Sequence, residues 1–131
     1  MQAIIKKWYD YLQDGKIMGL KCQECGDIQF PPVPVCKECS GYEMEWVEMS
    51  CEGELYTINL NAMGIYPYNN TPSVSGYIKL KEGMFFVAIL DGVSPADQED
   101  LIKRIQNGPV KVQLFVKGLN EKYVYPHARL V

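Results

Sequence analysis

Apolar residues recur at every fourth position near the start of the chain, at Ile4, Trp8 and Leu12, with Ile5 and Tyr9 beside them. Lys6, Lys7, Asp10, Gln13 and Asp14 fill the other faces, and Gly15 offers the kind of residue on which helices commonly end. This pattern predicts a short amphipathic helix over residues 1–15. So short a helix is unstable alone in water, so its apolar face must be buried on this chain or on another protein. Residues 16–42 show no period and are rich in Pro, Gly and Cys. The pattern then turns to strands. A long first strand is predicted over 44–62, with Gly53 inside it as a bulge or bend and Tyr56, Ile58, Leu60 and Ala62 alternating with Thr57, Asn59 and Asn61. A second strand carries Val74, Gly76, Ile78 and Leu80, and "KEGM" turns it into the run "MFFVAIL", which reads as a buried strand.

"SPADQEDLIKRIQNG" opens on Ser94 as an N-cap with Pro95 behind it, places acids early and Lys103 and Arg104 late, and exits at Gly108, which predicts a short helix. Val110, Val112, Leu114 and Val116 define a fourth strand, and a fifth lies near residues 123–129. Five strands, the first bent at a glycine and a helix between the third and fourth, match the partly open Greek-key barrel called the OB-fold. The expected architecture is mainly β: an N-terminal amphipathic helix over 1–15, a cysteine module of zinc-ribbon type over 16–42, and an OB-fold barrel over 43–131.

At 131 residues the chain has room for one core and a small module. Its formal charge of -3 lacks the basic footprint of a protein that neutralises phosphates, which argues against nucleic acid as a partner. The charged residues of the first helix interrupt any signal-peptide pattern, and no run approaches the ~20 apolar residues of a membrane span. No membrane association and a cytoplasmic location are expected; in that reducing compartment clustered cysteines bind metal more often than they form disulfides.

Cys22, Cys25, Cys36 and Cys39 form two C-x2-C pairs separated by ten residues. Each pair can aim two sulfurs at one metal, and four thiolates leave no coordination position for water, so the expected metal is a structural Zn2+. Iron accepts the same ligands in a rubredoxin-like electron carrier. Cys51 stands beside the acidic Glu52 and reads as a strand residue rather than a nucleophile. His127, the one histidine, reads as incidental at the surface. Tyr66 and Tyr68, around Pro67 in the loop joining the first two barrel strands, are candidate ligand or partner contacts, as is Trp8 on the first helix. No phosphate-cradling glycine motif, nucleophile elbow or zinc-hydrolase motif is present.

The string "CQECGDIQFPP" and the following "CKEC", then Gly53 with Tyr56-Thr57, and Gly108-Pro109-Val110, resemble the DUF35 family of OB-fold proteins with a rubredoxin-like zinc ribbon. Two positions depart from it: Val33-Pro34 replaces a frequent arginine, and the glycine usual after the fourth cysteine is displaced to Gly41 behind Ser40. The resemblance implies a non-catalytic small subunit of a thiolase-like acyl-CoA enzyme, a hetero-oligomer with a catalytic chain that carries the nucleophile, and a CoA thioester as a possible bound ligand. A degradative thiolase of the benzylsuccinate type is the favoured setting; an archaeal-type mevalonate-pathway bridging protein or a stand-alone acyl-CoA-binding module are the alternatives.

Overall fold

A computed structural model describes residues 2–61, 72–118 and 124–131. The chain divides into two compact units, Met1–Ser50 and Cys51–Val131.

The first unit opens with helix α1 (Gln2–Gln13). Trp8 and Leu12, one turn apart, are buried, while Ile5 and Tyr9 on the neighbouring stripe stay exposed. The helix ends in a Schellman-type turn: Lys16 N–H reaches the Tyr11 carbonyl at 2.9 Å, and Gly15 takes a φ of +79°, which a glycine adopts without steric cost. Strands β1 (Met18–Cys22), β2 (Ile28–Gln29) and β3 (Met44–Glu48) form an antiparallel sheet in the order β2-β1-β3. Gly19 on β1 leaves no room for a side chain, since a Cβ there would lie 2.8 Å from Met49 Sδ and 3.2 Å from the Gln29 carbonyl.

Strand β3 corrects the expectation of one long first barrel strand over 44–62. Residues Met44–Glu48 pair with β1 across five positions, from Met44 opposite Cys22 to Glu48 opposite Met18. The extended run then breaks. Met49 turns inward, its N–H bonded to the Ile17 carbonyl at 2.9 Å, and Cys51 adopts a left-handed φ of +64°. Continuous alternation in the sequence reports extended backbone without saying which sheet receives it.

The second unit is a five-stranded sheet in the order β6-β5-β4-β7-β8, built from β4 (Glu52–Asn61), β5 (Ser73–Leu80), β6 (Phe85–Ile89), β7 (Lys111–Gly118) and β8 (Val124–Leu130). All its ladders are antiparallel, and a parallel bridge from Leu90 to Ala128 joins the two outer strands. The sheet thereby comes close to closing into the expected five-stranded barrel. Gly53 lies where β4 pairs with both β5 and β7, and a Cβ there would stand 2.8 Å from the Lys79 carbonyl, so the approach of strands explains the glycine. The irregularity expected near it falls slightly later, between Leu55 and Thr57.

Helix α2 (Gln98–Asn107) sits between β6 and β7 as expected, preceded by a single 3-10 turn over Pro95–Asp97. The Asp97 carboxylate accepts from both the backbone N–H and the hydroxyl of Ser94, which stabilises the start of the helix. Leu101 is buried. Val74, Ile78, Leu80, Phe86, Ala88, Leu90, Val112 and Leu114 supply most of the remaining core of this unit. No helix among the described residues is long and apolar enough to cross a membrane.

Candidate metal centre and an exposed aromatic face

The four cysteines of the first unit converge, with all four Sγ atoms within 4.8 Å of one another. The closest pairs are Cys22 with Cys39 at 3.5 Å and Cys25 with Cys36 at 3.4 Å. These distances are far beyond a disulfide bond and close to the ~3.8 Å edge of a tetrahedron built on Zn–S bonds of about 2.3 Å. Donor set and spacing fit a tetrahedral metal with no open position.

The two halves of the site are built alike. In the first, Gly26 N–H bonds the Cys22 carbonyl at 2.9 Å and Cys22 N–H bonds the Asp27 carbonyl at 2.8 Å. In the second, Ser40 N–H bonds the Cys36 carbonyl and Cys36 N–H bonds the Gly41 carbonyl, both at 2.9 Å. Each C-x2-C is therefore a closed turn that presents its sulfurs to the same side. Both turns need a left-handed residue at the same place, filled by Gly26 at φ +82° and by Ser40 at φ +63°. The displaced glycine has a separate cause, because a Cβ on Gly41 would press on the Glu24 carboxylate and lie 3.3 Å from Cys39 Sγ. Serine in the left-handed region costs about 1 kcal/mol relative to glycine. Ser40→Gly is accordingly expected to stabilise the metal-loaded unit by about 1 kcal/mol, read as a higher denaturant midpoint of tryptophan emission with unchanged slope; a lower midpoint contradicts the turn geometry.

Without a cation the sulfurs conflict. Backbone N–H groups of Cys25 and Glu24 donate to Cys22 Sγ and, against the cost of burial, bring its thiol down to about 7. The Gly41 N–H favours a thiolate at Cys39, yet the neighbouring sulfurs of Cys22, Cys25 and Cys36 together with desolvation raise it to about 12. Cys25 is also raised: the Asp27 N–H works downward, and Cys36 and desolvation prevail. A thiolate at Cys22 thus works against ionisation of Cys25 and Cys39, a conflict that a bound cation would relieve. Cys22 and Cys36 are buried and Cys25 and Cys39 exposed.

Trp8 faces inward rather than toward solvent. Its indole N–H donates to the Met18 carbonyl at 2.8 Å, its ring meets Phe30 edge-on at 5.9 Å, and only 4% of its surface is exposed. Of the two readings for the helix, burial on its own chain holds for Trp8 and Leu12. Tyr66 and Tyr68 lie outside the described residues.

The residue pattern does not announce the apolar face that the second unit carries. Tyr56 on β4, Tyr77 on β5 and Phe85 and Val87 on β6 are all more than a third exposed. Tyr77 and Phe85 stack in parallel with centroids 4.6 Å apart, Tyr56 meets Phe85 edge-on at 5.2 Å, and Lys79 Nζ stands 6.0 Å from the Phe85 ring. The run "MFFVAIL", which reads as a buried strand, is covered on one side only. Phe86 and Ala88 point into the barrel while Phe85 and Val87 point out. Beside this face is a groove of about 670 Å³, lined among others by Tyr56, Lys79, Lys81, Lys111, Glu52 and Glu54. Lys81 pairs with Glu52 at 3.4 Å.

His127, expected at the surface, is 2% exposed on β8 opposite Phe115. Burial is the main cause that holds its imidazole down to about 4, helped by the charge of Lys117 and opposed by that of Asp91.

Comparison with known proteins agrees with this geometry. Residues 10–45 match the family described as ChsH2, rubredoxin-like zinc ribbon domain. The benzoylsuccinyl-CoA thiolase subunit BbsA of Thauera aromatica is 37% identical over 76 residues, 58% of this chain and 52% of its own length. The chain thus spans about half of that relative. A DUF35 domain-containing scaffold protein of Methanocaldococcus jannaschii is 24% identical over 98 residues, 73% of this chain and 70% of its own. The solved Ltp2-ChsH2(DUF35) aldolase contains a chain that superposes with a TM-score of 0.76 at 22% identity, over 95% of this chain and 92% of that one, which shows a shared fold. Residues 10–45 are thus similar to a ChsH2-type zinc ribbon, and the chain shares its fold with a solved DUF35 protein.

Proposed function

We propose that this chain is a non-catalytic subunit of a thiolase-like acyl-CoA enzyme, assembling with a larger catalytic chain and supporting its CoA-thioester chemistry. The observation that carries the reading is the exposed face of Tyr56, Tyr77, Phe85 and Val87 on the barrel. Contiguous aromatic surface of this kind is the composition of interface cores, where Tyr and Phe supply large buried area with few rotatable bonds. The similarity to a thiolase subunit supports the class of partner and favours CoA-dependent cleavage in a benzylsuccinate-type pathway. The ribbon has a separate task. A tetrathiolate with every position filled offers no Lewis-acid site, so bound zinc would supply structure: Cys22, Cys25, Cys36 and Cys39 would hold it and tie β1 to the following loop.

Phe85→Asp, on an exposed strand position, is expected to leave the barrel folded and to weaken assembly with the catalytic chain by about 100-fold, measured by titration of the purified subunits. Undiminished affinity would move the interface elsewhere. A second reading, an independent acyl-CoA-binding module, draws on Lys79, Lys81 and Lys111 around the groove, with Tyr56 at its edge. Calorimetry of the isolated chain with a CoA thioester separates the two: saturable tight binding without a partner favours the module, and its absence favours the subunit.

A further inference from the structure

Gln29, on β2, is 4% exposed, a burial unusual for a polar side chain. Its amide Nε2 donates to the Asp27 carboxylate, and the same nitrogen lies 3.9 Å from Cys36 Sγ. Asp27 belongs to the first cysteine turn, where its carbonyl accepts Cys22 N–H. Cys36 begins the second. One side chain thus joins the two turns, an N–H directed at each.

The charge balance of the site gives this strap a purpose. Four thiolates around a divalent cation leave a net charge of about -2, spread over the sulfurs. Cys25 and Cys39 are exposed, so water can donate to them, whereas Cys22 and Cys36 are buried and depend on the protein. Cys22 Sγ has the backbone N–H groups of Cys25 and Glu24. Gln29 brings a side-chain donor to Cys36.

We infer that Gln29 is a positioning residue of the metal centre: its amide stabilises the Cys36 thiolate and, anchored by Asp27, fixes the register of the second cysteine turn against the first. This rests on metal occupying the four-cysteine site and is independent of the thiolase reading. Partners of metal ligands typically change metal affinity by about 10- to 100-fold.

The test uses the full chain. In the 113Cd-loaded protein a scalar coupling is expected between the metal and a side-chain amide proton of Gln29, transmitted through the N–H···S contact. Gln29→Met, close in volume and without a donor, is expected to lower zinc affinity about tenfold in competition with a chromophoric chelator and to shift the sulfur-to-metal charge-transfer band of the Co2+ form. No coupling, or a folded Gln29→Met protein with parental zinc affinity and an unmoved band, overturns the inference. The coupling needs no variant, so failure of Gln29→Met to fold leaves the inference testable. Failure of the wild-type protein to bind any of these metals would instead overturn the metal site itself.

Discussion

Cys36→Ser is expected to abolish the cooperative fold of residues Met1–Ser50 while leaving the barrel intact. Cys36 is buried at the centre of the sulfur cluster, and its backbone N–H and carbonyl close the second cysteine turn. A serine hydroxyl neither ionises near neutral pH nor reaches the length of a zinc–thiolate bond, so three ligands remain. Structural zinc in small domains contributes about 10–16 kcal/mol of apparent binding free energy, nearly all of which is folding free energy. Loss of even a third of that exceeds what the small core of Trp8, Leu12, Ile17, Leu20, Phe30 and Met49 can replace. Both tryptophans, Trp8 and Trp46, lie in this unit and report on it. A red-shifted emission in Cys36→Ser, reproduced in the parent by chelation, is the expected result. Parental emission in a metal-free variant would show that the ribbon stands without its metal.

The second large effect concerns acid. His127 is neutral in the folded barrel until about pH 4, whereas in the unfolded chain it titrates at its ordinary value of 6.5. Between those values the unfolded chain binds a proton that the folded one does not, so stability falls as pH is lowered through this window and is complete above it. The full shift corresponds to about 3 kcal/mol; the half-exposed Lys117 and Asp91 beside the ring screen part of it, leaving about 2 kcal/mol. His127→Leu is expected to lose this dependence, so that its stability relative to the parent improves by about 2 kcal/mol between pH 7 and pH 4, followed by far-ultraviolet circular dichroism in urea. A constant difference across that range would show that the imidazole is accessible to protons in the folded state.

These effects differ in how visible they are in the sequence. Ligand spacing is local, so the four cysteines identify the metal site from the linear chain, and the four-residue period of Ile4, Trp8 and Leu12 identifies the buried helix face. The two short strands of the ribbon escape notice because Met18–Cys22 and Ile28–Gln29 are too brief to show a period. Met44–Glu48 shows alternation but not its partner, and the break behind it rests on Cys51 in a left-handed conformation, for which residue type gives no warning. A continuous apolar run such as 84–90 looks the same whether one face or both are covered, so Phe85 and Val87 could not be told from Phe86 and Ala88. His127 is buried by pairing with Phe115 from the neighbouring strand, a contact set by register rather than by residue type. Gln29 is legible only once Asp27 and Cys36 are brought to either side of it.

Thiolytic turnover of benzoylsuccinyl-CoA, or of the acyl-CoA accepted by the partner, decides the subunit reading when it is measured with the catalytic chain supplied alone, with this chain added, and with this chain by itself. The expected result is no turnover from this chain alone and at least a tenfold gain when it joins the catalytic chain, equivalent to about 1.4 kcal/mol or more on the transition state. Equal turnover by the catalytic chain with and without this one would contradict the subunit role.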